Sequence, residues 1–216
     1  AAEIEAVVAE LKSQGVEAAG IACDLGKLDS NPVKTLVDAC EAAFGTVDVL
    51  VNNAGTTWGQ PAEEHSYTGW QKVMTLNVDV CFLVAQEVAR RFMIPRKSGK
   101  IINIASIAGF KGNRANSGIF TSAYNTSKAA AINLTRALAG EWGRYNINVN
   151  AICPGYFPTK LAQGLDGVSE MIKEGTPLGR IGGDEDIKGA AVFFATEMSR
   201  HVTGQAMAVD GGNSVV

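Results

Sequence analysis

Residues 100–155 contain three consecutive pieces, KIINIAS (100–106), TSAYNTSKAAAINLTRALAGEW (121–142) and INVNAICPG (147–155), which together decide the fold class. The first and third are apolar runs of strand length, whereas the middle piece has the length and periodicity of a helix. Strands that are apolar on both faces and joined through a helix are typical of a parallel sheet, because right-handed crossovers place helices against both faces. The segment therefore predicts an α/β fold.

The alternation of helix and strand continues in both directions from this segment. Gly15 and Gly45 stand where predicted helices end, and no stretch has the composition of a linker. We therefore predict a doubly wound parallel sheet in one domain over residues 1–216. The predicted helices are 4–14, 32–44, 62–93, 121–142 and 184–198, and the predicted strands are 16–23, 47–53, 100–106, 147–153 and 205–210.

Composition restricts the class of protein and of partner. The 216 residues are 46% hydrophobic and 19% charged, which is typical of a compact globular domain. A net charge of −3 provides no positive field for a phosphate backbone, so no nucleic-acid partner is expected. No apolar stretch approaches the roughly 20 residues that cross a bilayer, and the first residues do not resemble a leader peptide. We therefore expect a cytoplasmic protein without a membrane partner.

The cysteines and histidines form no pattern typical of a metal site or a disulfide framework. Cys23, Cys40, Cys81 and Cys153 lie far apart without C-x-x-C pairs, so we expect buried, reduced thiols. The two histidines are isolated from acids and cysteines at ligand spacing. No metal site is predicted.

The functional site is expected where the strands end. In a doubly wound sheet, ligands bind outside the carboxyl ends of the strands. The residues that directly follow predicted strands are Asp24, residues 52–55, Ser106 and residues 154–159.

Tyr124 and Lys128 form a Y-x-x-x-K pattern, whose i, i+4 spacing places a phenol and an ammonium on one face of a helix. A neighbouring cation favours the charged form of a phenol, so we expect Lys128 to lower the pKa of Tyr124 and make it a usable acid or base. The pair alone is a weak signal, because surface pairs at this spacing are common. Ser106 strengthens it, since a hydroxyl at the strand end can hydrogen-bond a carbonyl or an alkoxide, although serine is also common there as a cap.

Asn77 is a polar residue within the apolar stretch MTLNVDVCFLV (74–84). An unpaired buried amide costs about 1–3 kcal/mol, so Asn77 needs a partner such as water.

The chain resembles the short-chain dehydrogenase/reductase family, whose fold is Rossmann-like. The matching residues occur together, in the family's order and at family-like spacing, which makes the match specific. They are Asp24, Asn52-Asn53-Ala54-Gly55, Asn77, Ser106, Tyr124, Lys128, Pro154-Gly155 and Asp210-Gly211-Gly212.

The resemblance implies roles for individual residues and NAD or NADP as the cofactor. It makes Tyr124 the general acid or base and gives Ser106 the polarisation of the substrate oxygen. It has Lys128 lower the pKa of Tyr124 and bond the nicotinamide ribose, while Asn77 holds a relay water. The implied cofactor-binding residues are Asp24 and Leu25 at the adenine, Asn52, Ala54 and Gly55 on the adenosine side, Phe157 and Thr159 at the nicotinamide, and also Tyr124, Lys128, Pro154 and Gly155.

One departure from the family concerns the phosphate-binding loop. The family begins with a strand and a T-G-x-x-x-G-x-G loop that holds the pyrophosphate, and no G-x-G occurs in this sequence. We therefore expect an N-terminally incomplete domain that lacks the family's first two strands.

The leading hypothesis for function is reversible hydride transfer between NAD(P)H and a ketone or secondary alcohol. The segments YNTSKAA (124–130) and CPGYFPTK (153–160) look most like bacterial 3-oxoacyl thioester reductases and the gluconate 5-dehydrogenase group, and both substrate classes stay open. The choice between NAD and NADP also stays open. A hypothesis of another class is a cofactor-free interaction module, which the absent glycine-rich loop favours and the intact Ser, Tyr, Lys and Asn disfavour.

Two expectations concern the substrate and the assembly. Lys111, Arg114 and Lys160 lie in loops expected to face the substrate, so we expect an anionic substrate, the alternative being solvated surface charges. In relatives two long helices, here 78–91 and 129–142, pack across a two-fold axis, so we expect a homo-oligomer, a tetramer. The apolar residues expected at that contact are Val80, Leu83, Val84, Val88, Ala130, Ile132, Leu134 and Leu138.

Overall fold

The computed structural model describes residues 2–113, 117–158, 169–183 and 185–216, so that Arg114, Thr159 and Lys160 lie outside the described residues. Its centre is a parallel sheet made of β1 (Val49–Asn52), β2 (Gly99–Ile104), β3 (Ile147–Pro154) and β4 (Ala206–Val209). The strands lie in the order β1-β2-β3-β4, with Val51 opposite Ile102 and Ile102 opposite Asn150. The carboxyl ends of the strands therefore share one edge of the sheet.

The described helices are α1 (Ala2–Ser13), α2 (Pro32–Phe44), α3 (Tyr67–Met74), α4 (Val80–Val88), α5 (Ile94–Arg96), α6 (Ser122–Trp142), α7 (Ser169–Glu174) and α8 (Lys188–Ala195). Helices pack on both faces of the sheet. On one face, α2, α4 and α6 cover Ile101 and Val149. On the other face, α8 places Phe194 against Ile102 and Ile152. This is the doubly wound α/β arrangement that the sequence predicts, although α8 is shorter than the predicted helix 184–198.

The apolar run 16–23 is not a strand, contrary to the sequence prediction. A strand needs a neighbour for its N–H and C=O groups, and within the described residues β1 pairs with β2 alone. Val16 is 53% exposed, and the preceding α1 has no buried residue. Apolar character therefore does not produce a strand where no pairing partner is at hand.

The helices α3, α4 and α5 follow one another without a break. Two wide π-helical turns, Thr75–Asp79 and Ala89–Met93, join them. The helical stretch begins after Ser66, whose hydroxyl accepts a hydrogen bond from the Gly69 N–H and so caps the first turn. Because π-helical turns are rare and occur often at functional sites, the position of Asn77 inside the first one is informative.

Most apolar residues expected between copies of the chain belong to its own core. Val80, Val84 and Val88 on α4, and Ile132 and Leu138 on α6, are at most 4% exposed. They pack toward the sheet, so the prediction that they supply surplus surface is wrong. Leu83, Ala130 and Leu134 are half-buried.

Candidate active site

The chain leaves β2 at Ile104 and places Ser106 at the carboxyl edge of the sheet. The Ser106 Oγ accepts a hydrogen bond from the Ala108 N–H at 3.1 Å and so caps a short 3₁₀ turn, Ile107–Gly109. A Cβ on Gly109 would lie 2.7 Å from the carbonyl carbon of Lys128, so the turn packs directly against the backbone of α6. Ser106 is therefore both a cap and a hydroxyl held beside the helix that carries Tyr124.

Tyr124 and Lys128 lie on one face of α6, as their spacing predicts. The Lys128 Nζ is 5.6 Å from the centre of the Tyr124 ring and donates a hydrogen bond to the Ile104 carbonyl at 2.7 Å. Burial lowers the pKa of the Lys128 ammonium to about 8. The described structure thus brings a phenol, an ammonium that can release its proton near neutral pH and the Ser106 hydroxyl to the end of one strand.

The expected fall in the pKa of Tyr124 is not observed. Burial raises the pKa of the phenol above its ordinary value, and a hydrogen bond with Ser106 counteracts the rise only in part. The Lys128 ammonium is itself buried and bonds the Ile104 carbonyl. The prediction that Lys128 brings Tyr124 toward neutral pH is therefore wrong for this arrangement, because burial of the phenol dominates.

Asn77 is 3% exposed, and protein groups satisfy its amide. Its Oδ1 accepts from the Thr56 N–H at 2.8 Å, and its Nδ2 donates to the Thr56 carbonyl and to the Ser127 Oγ, both at 2.9 Å. The Ser127 hydroxyl donates in turn to the Tyr124 carbonyl at 2.8 Å. Asn77 thus ties the chain after β1 to the turn of α6 that contains Tyr124.

A cavity of about 680 Å³ adjoins this cluster at the end of β1, a volume suited to a small-molecule ligand. Four predicted residues, Asp24, Leu25, Ala54 and Gly55, line it together. A Cβ on Gly55 would lie 3.4 Å from the Asn77 Oδ1 and 3.6 Å from the Lys128 Nζ, so the cavity meets the side chains of Asn77 and Lys128 at this glycine.

The sequence reasoning missed one wall of the cavity. Thr68, Gln71 and Lys72 on α3, and Thr75 directly after it, line that wall. Their spacing of three or four residues forms a polar stripe, a signal that was available in the sequence. The other lining residues that were not predicted are Cys23, Gly26, Thr56 and Leu76.

Several of the residues that the resemblance assigns to cofactor binding instead contact other parts of the protein. The Asn52 amide donates to the Asn103 Oδ1 at 2.9 Å and to the Cys81 carbonyl at 3.2 Å, which links β1 to β2 and α4. Pro154 is the last residue of β3. A Cβ on Gly155 would lie 2.7 Å from the Asp210 Cβ, and one on Gly182 would lie 2.4 Å from the Phe157 ring, so Gly155 and Phe157 both sit in close packing contacts. These four residues lie outside the cavity lining.

Lys111 also differs from its predicted role. Its ammonium donates to the Asn213 carbonyl at 3.0 Å and to the Asn213 Oδ1 at 3.1 Å. In this structure the charge is therefore bound to the C-terminal turn of the chain.

The four cysteines are free, as expected, but only Cys81 and Cys153 are buried. Burial raises the pKa of both thiols to about 11, so they stay protonated at neutral pH. Within the described residues, no group of three His, Cys, Asp or Glu side chains could hold a metal ion. No helix of the described chain is both long and apolar enough to cross a membrane.

Comparison with known proteins decides the family. A family model described as "Enoyl-(Acyl carrier protein) reductase" matches residues 1–214. A solved short-chain type dehydrogenase/reductase from Mycobacterium marinum superposes with a TM-score of 0.90 at 33% identity, covering 97% of this chain and 81% of that one. The chain belongs to the short-chain dehydrogenase/reductase family. Membership confirms the Rossmann-like fold and the class predicted from sequence, an NAD(P)-dependent oxidoreductase.

Relatives within the short-chain dehydrogenase/reductase family include both substrate groups that the sequence left open. A 2-dehydro-3-deoxy-D-gluconate 5-dehydrogenase from Dickeya dadantii is 46% identical over 180 residues, which are 82% of this chain and 69% of the relative. A 3-oxoacyl-[acyl-carrier-protein] reductase from Staphylococcus epidermidis is 36% identical over 209 residues, 96% of this chain and 82% of the relative. A gluconate 5-dehydrogenase from Burkholderia cenocepacia, solved in complex with NADP and tartrate, has a TM-score of 0.89 at 34% identity and covers 98% of this chain and 81% of that one.

Proposed function

We propose that Tyr124, Ser106, Lys128 and Asn77 form the catalytic centre for reversible reduction of a ketone to a secondary alcohol. The observation that carries this proposal is the convergence of the four residues, from β2, α6 and the π-helical turn after α3, on one edge of the sheet. Asn77 and Ser127 fix the turn of α6 that contains Tyr124, and Gly109 fixes Ser106 against the same helix.

Tyr124, Ser106 and Lys128 have separate roles in proton transfer. Tyr124 transfers a proton to or from the substrate oxygen, and Ser106 hydrogen-bonds that oxygen and the phenol. Lys128, with a pKa near 8, exchanges its own proton readily at working pH and provides a path for the proton of Tyr124. Its ammonium has three N–H donors, of which the Ile104 carbonyl takes one, so donors remain for the hydroxyls of a ribose.

The cavity fits the adenosine half of NAD or NADP. Asp24 and Leu25 on one side, and Ala54 and Gly55 on the other, would hold it, and the bound cofactor supplies the hydride. Pro154, Gly155, Phe157 and Asn52 act chiefly by shaping the backbone around the cofactor, as their packing and hydrogen bonds suggest. Thr159 remains a cofactor-binding residue of this proposal by its resemblance to the family alone.

For the substrate we favour an anionic sugar acid over a 3-oxoacyl thioester. The support is the greater identity to the 2-dehydro-3-deoxy-D-gluconate 5-dehydrogenase, 46%, than to the 3-oxoacyl-[acyl-carrier-protein] reductase, 36%. Parallel assays of the full-length protein with sugar acids, 3-oxoacyl thioesters and matched neutral ketones would separate the classes. A higher kcat/KM for the thioesters would reverse our preference.

The decisive test of the catalytic centre is Tyr124→Phe in the full-length protein. Loss of the hydroxyl should lower kcat about 10²–10⁴-fold, because it removes the general acid or base, while folding and cofactor affinity stay close to those of the parent. Tyr67→Phe is the matched control, since Tyr67 is 75% exposed on α3. A decrease of less than about tenfold in Tyr124→Phe would exclude Tyr124 as the proton donor.

The proposed assembly is a homotetramer that uses α4 and α6. With Val80, Val84 and Val88 in the core, the proposal depends on the half-buried Leu83, Ala130 and Leu134 and on Phe82, which is 36% exposed. Light scattering at micromolar concentration should give four times the mass of the chain. A monomeric mass would contradict it.

A further inference from the structure

The ammonium of Lys111 joins two segments that are 102 residues apart in sequence. It donates to both the backbone carbonyl and the side-chain Oδ1 of Asn213, at 3.0 and 3.1 Å. Asn213 is 9% exposed, so its end of this charge-assisted hydrogen bond is buried, whereas Lys111 itself is exposed. Because the Nζ bonds two oxygens of the same residue, the contact holds the end of the lysine side chain at one position.

The other end of this connection is rigid. The Asn213 Nδ2 donates to the Gly175 carbonyl at 3.0 Å, just after α7. The Asp210 carboxylate accepts hydrogen bonds from the Gly212 and Ser214 N–H groups at 3.0 and 2.7 Å, which closes the turn that contains Asn213. Lys111 is thus attached to an internally braced turn at the end of β4.

Lys111 is also attached to the helix of the catalytic centre. Its backbone carbonyl accepts a hydrogen bond from the Asn125 Nδ2 at 2.8 Å. Two residues earlier, Gly109 packs on the backbone of α6 at Lys128. The segment after Ser106 therefore contacts α6 at Asn125, next to Tyr124, and at Lys128.

We propose that Lys111 and Asn213 are positioning residues. Their hydrogen bonds connect the segment after Ser106 to the C-terminal turn and so hold the Ser106 hydroxyl beside Tyr124. The inference rests on the proposed function of Ser106 and Tyr124. It assigns Lys111 a role distinct from binding an anionic substrate, because two of the three N–H donors of its ammonium are bonded to Asn213 oxygens. These hydrogen bonds matter for catalysis because displacement of a reacting group by about 1 Å can lower the rate about 10²-fold.

The test compares Lys111→Met, Lys111→Arg and Asn213→Leu in the full-length protein. Lys111→Met removes the donor and keeps the length of the side chain, whereas Lys111→Arg retains a charged donor. Asn213→Leu removes the side-chain acceptor and leaves the backbone carbonyl. Lys12→Met, on the exposed face of α1, is the matched control. Each variant is assayed with a neutral and an anionic ketone, and the cofactor Kd is measured separately by fluorescence.

We expect Lys111→Met to lower kcat about 10–100-fold for both ketones, with KM and cofactor Kd within about twofold of the parent. Asn213→Leu should lower kcat in the same way but less, the double variant should be no slower than Lys111→Met, and Lys111→Arg should recover most of the rate. If Lys111→Met does not fold, the kcat of Asn213→Leu and of Lys111→Arg decides in its place.

Two results would overturn the proposal. A rise in KM confined to the anionic ketone would make Lys111 a substrate-binding residue, and a kcat within about twofold of the parent in Lys111→Met and Asn213→Leu would remove any positioning role. These outcomes are distinct from failure of the proposed function, which would show itself as retained turnover in Tyr124→Phe.

Discussion

Replacement of Asn77 by Leu tests whether its three hydrogen bonds hold the proposed catalytic centre together. Leu has nearly the same shape but no polar atoms, so the Thr56 N–H, the Thr56 carbonyl and the Ser127 hydroxyl all lose a partner. At about 1 kcal/mol for each hydrogen bond, the free energy of unfolding should fall by about 3 kcal/mol. For a domain of this size that corresponds to a fall in Tm of about 6–12 °C.

The matched control for this change is Ser127→Ala, which removes one of the three bonds. It leaves both contacts between Asn77 and Thr56 in place but also removes the hydrogen bond from the Ser127 hydroxyl to the Tyr124 carbonyl, so its loss of stability should be at most about two-thirds as large. Urea denaturation of both variants measures the difference. A loss below about 1 kcal/mol in Asn77→Leu would show that the chain after β1 is held by other contacts and would refute the reasoning.

Two further predictions follow from burial and from close packing. Because burial lowers the pKa of Lys128 to about 8 in the folded protein, from 10.5, this group binds more protons in the unfolded chain between these values and makes the free energy of unfolding rise with pH across that window. The buried thiols of Cys81 and Cys153, whose pKa is raised from 9.0 to about 11, act in the opposite direction in both proteins, so the slope of the parent is compared with that of the variant. Lys128→Met should lack this rise in urea denaturation, and equal pH slopes for the two proteins would count against the burial of the ammonium. Gly109→Ala places a Cβ 2.7 Å from the Lys128 backbone and should lower both Tm and kcat. Gly112→Ala is the control and should change neither, because its Cβ would meet no atom within 4 Å. Similar Tm and kcat values for the two variants would show that the turn after Ser106 can move away from α6.

Local spacing predicted the positions of Ser106, Tyr124 and Lys128 relative to the sheet. The separation of Tyr124 from Lys128 is fixed within one helix, and Ser106 follows a strand whose apolar pattern is unambiguous, so both positions depend on nearby residues only. Asn77 was recognised because a polar residue in an apolar helix requires a partner. Its partners are Thr56 and Ser127, and they could not be predicted from the sequence because they depend on contacts across the fold.

Three of the errors share a physical cause, since each of them concerns a property set by distant segments. The run 16–23 has strand-like residues, but pairing depends on a neighbour that local pattern does not supply. The pKa of Tyr124 depends on how deeply α6 is buried, and the partner of Lys111 lies near the opposite end of the chain. The polar stripe of Thr68, Gln71 and Thr75 was local and was simply overlooked.

The stretch from α3 through the π-helical turn Thr75–Asp79 to α4 keeps one buried face. Val73, Asn77, Val80 and Val84 are buried and follow one another at intervals of three or four residues, so they lie on one side of the helix. Thr68 and Gln71 lie on the other side and line the cavity. Insertion or deletion of one residue would rotate all the following residues by about 100° and would separate the buried residues of α4 from those of α3, so the length of this stretch is as constrained as its composition.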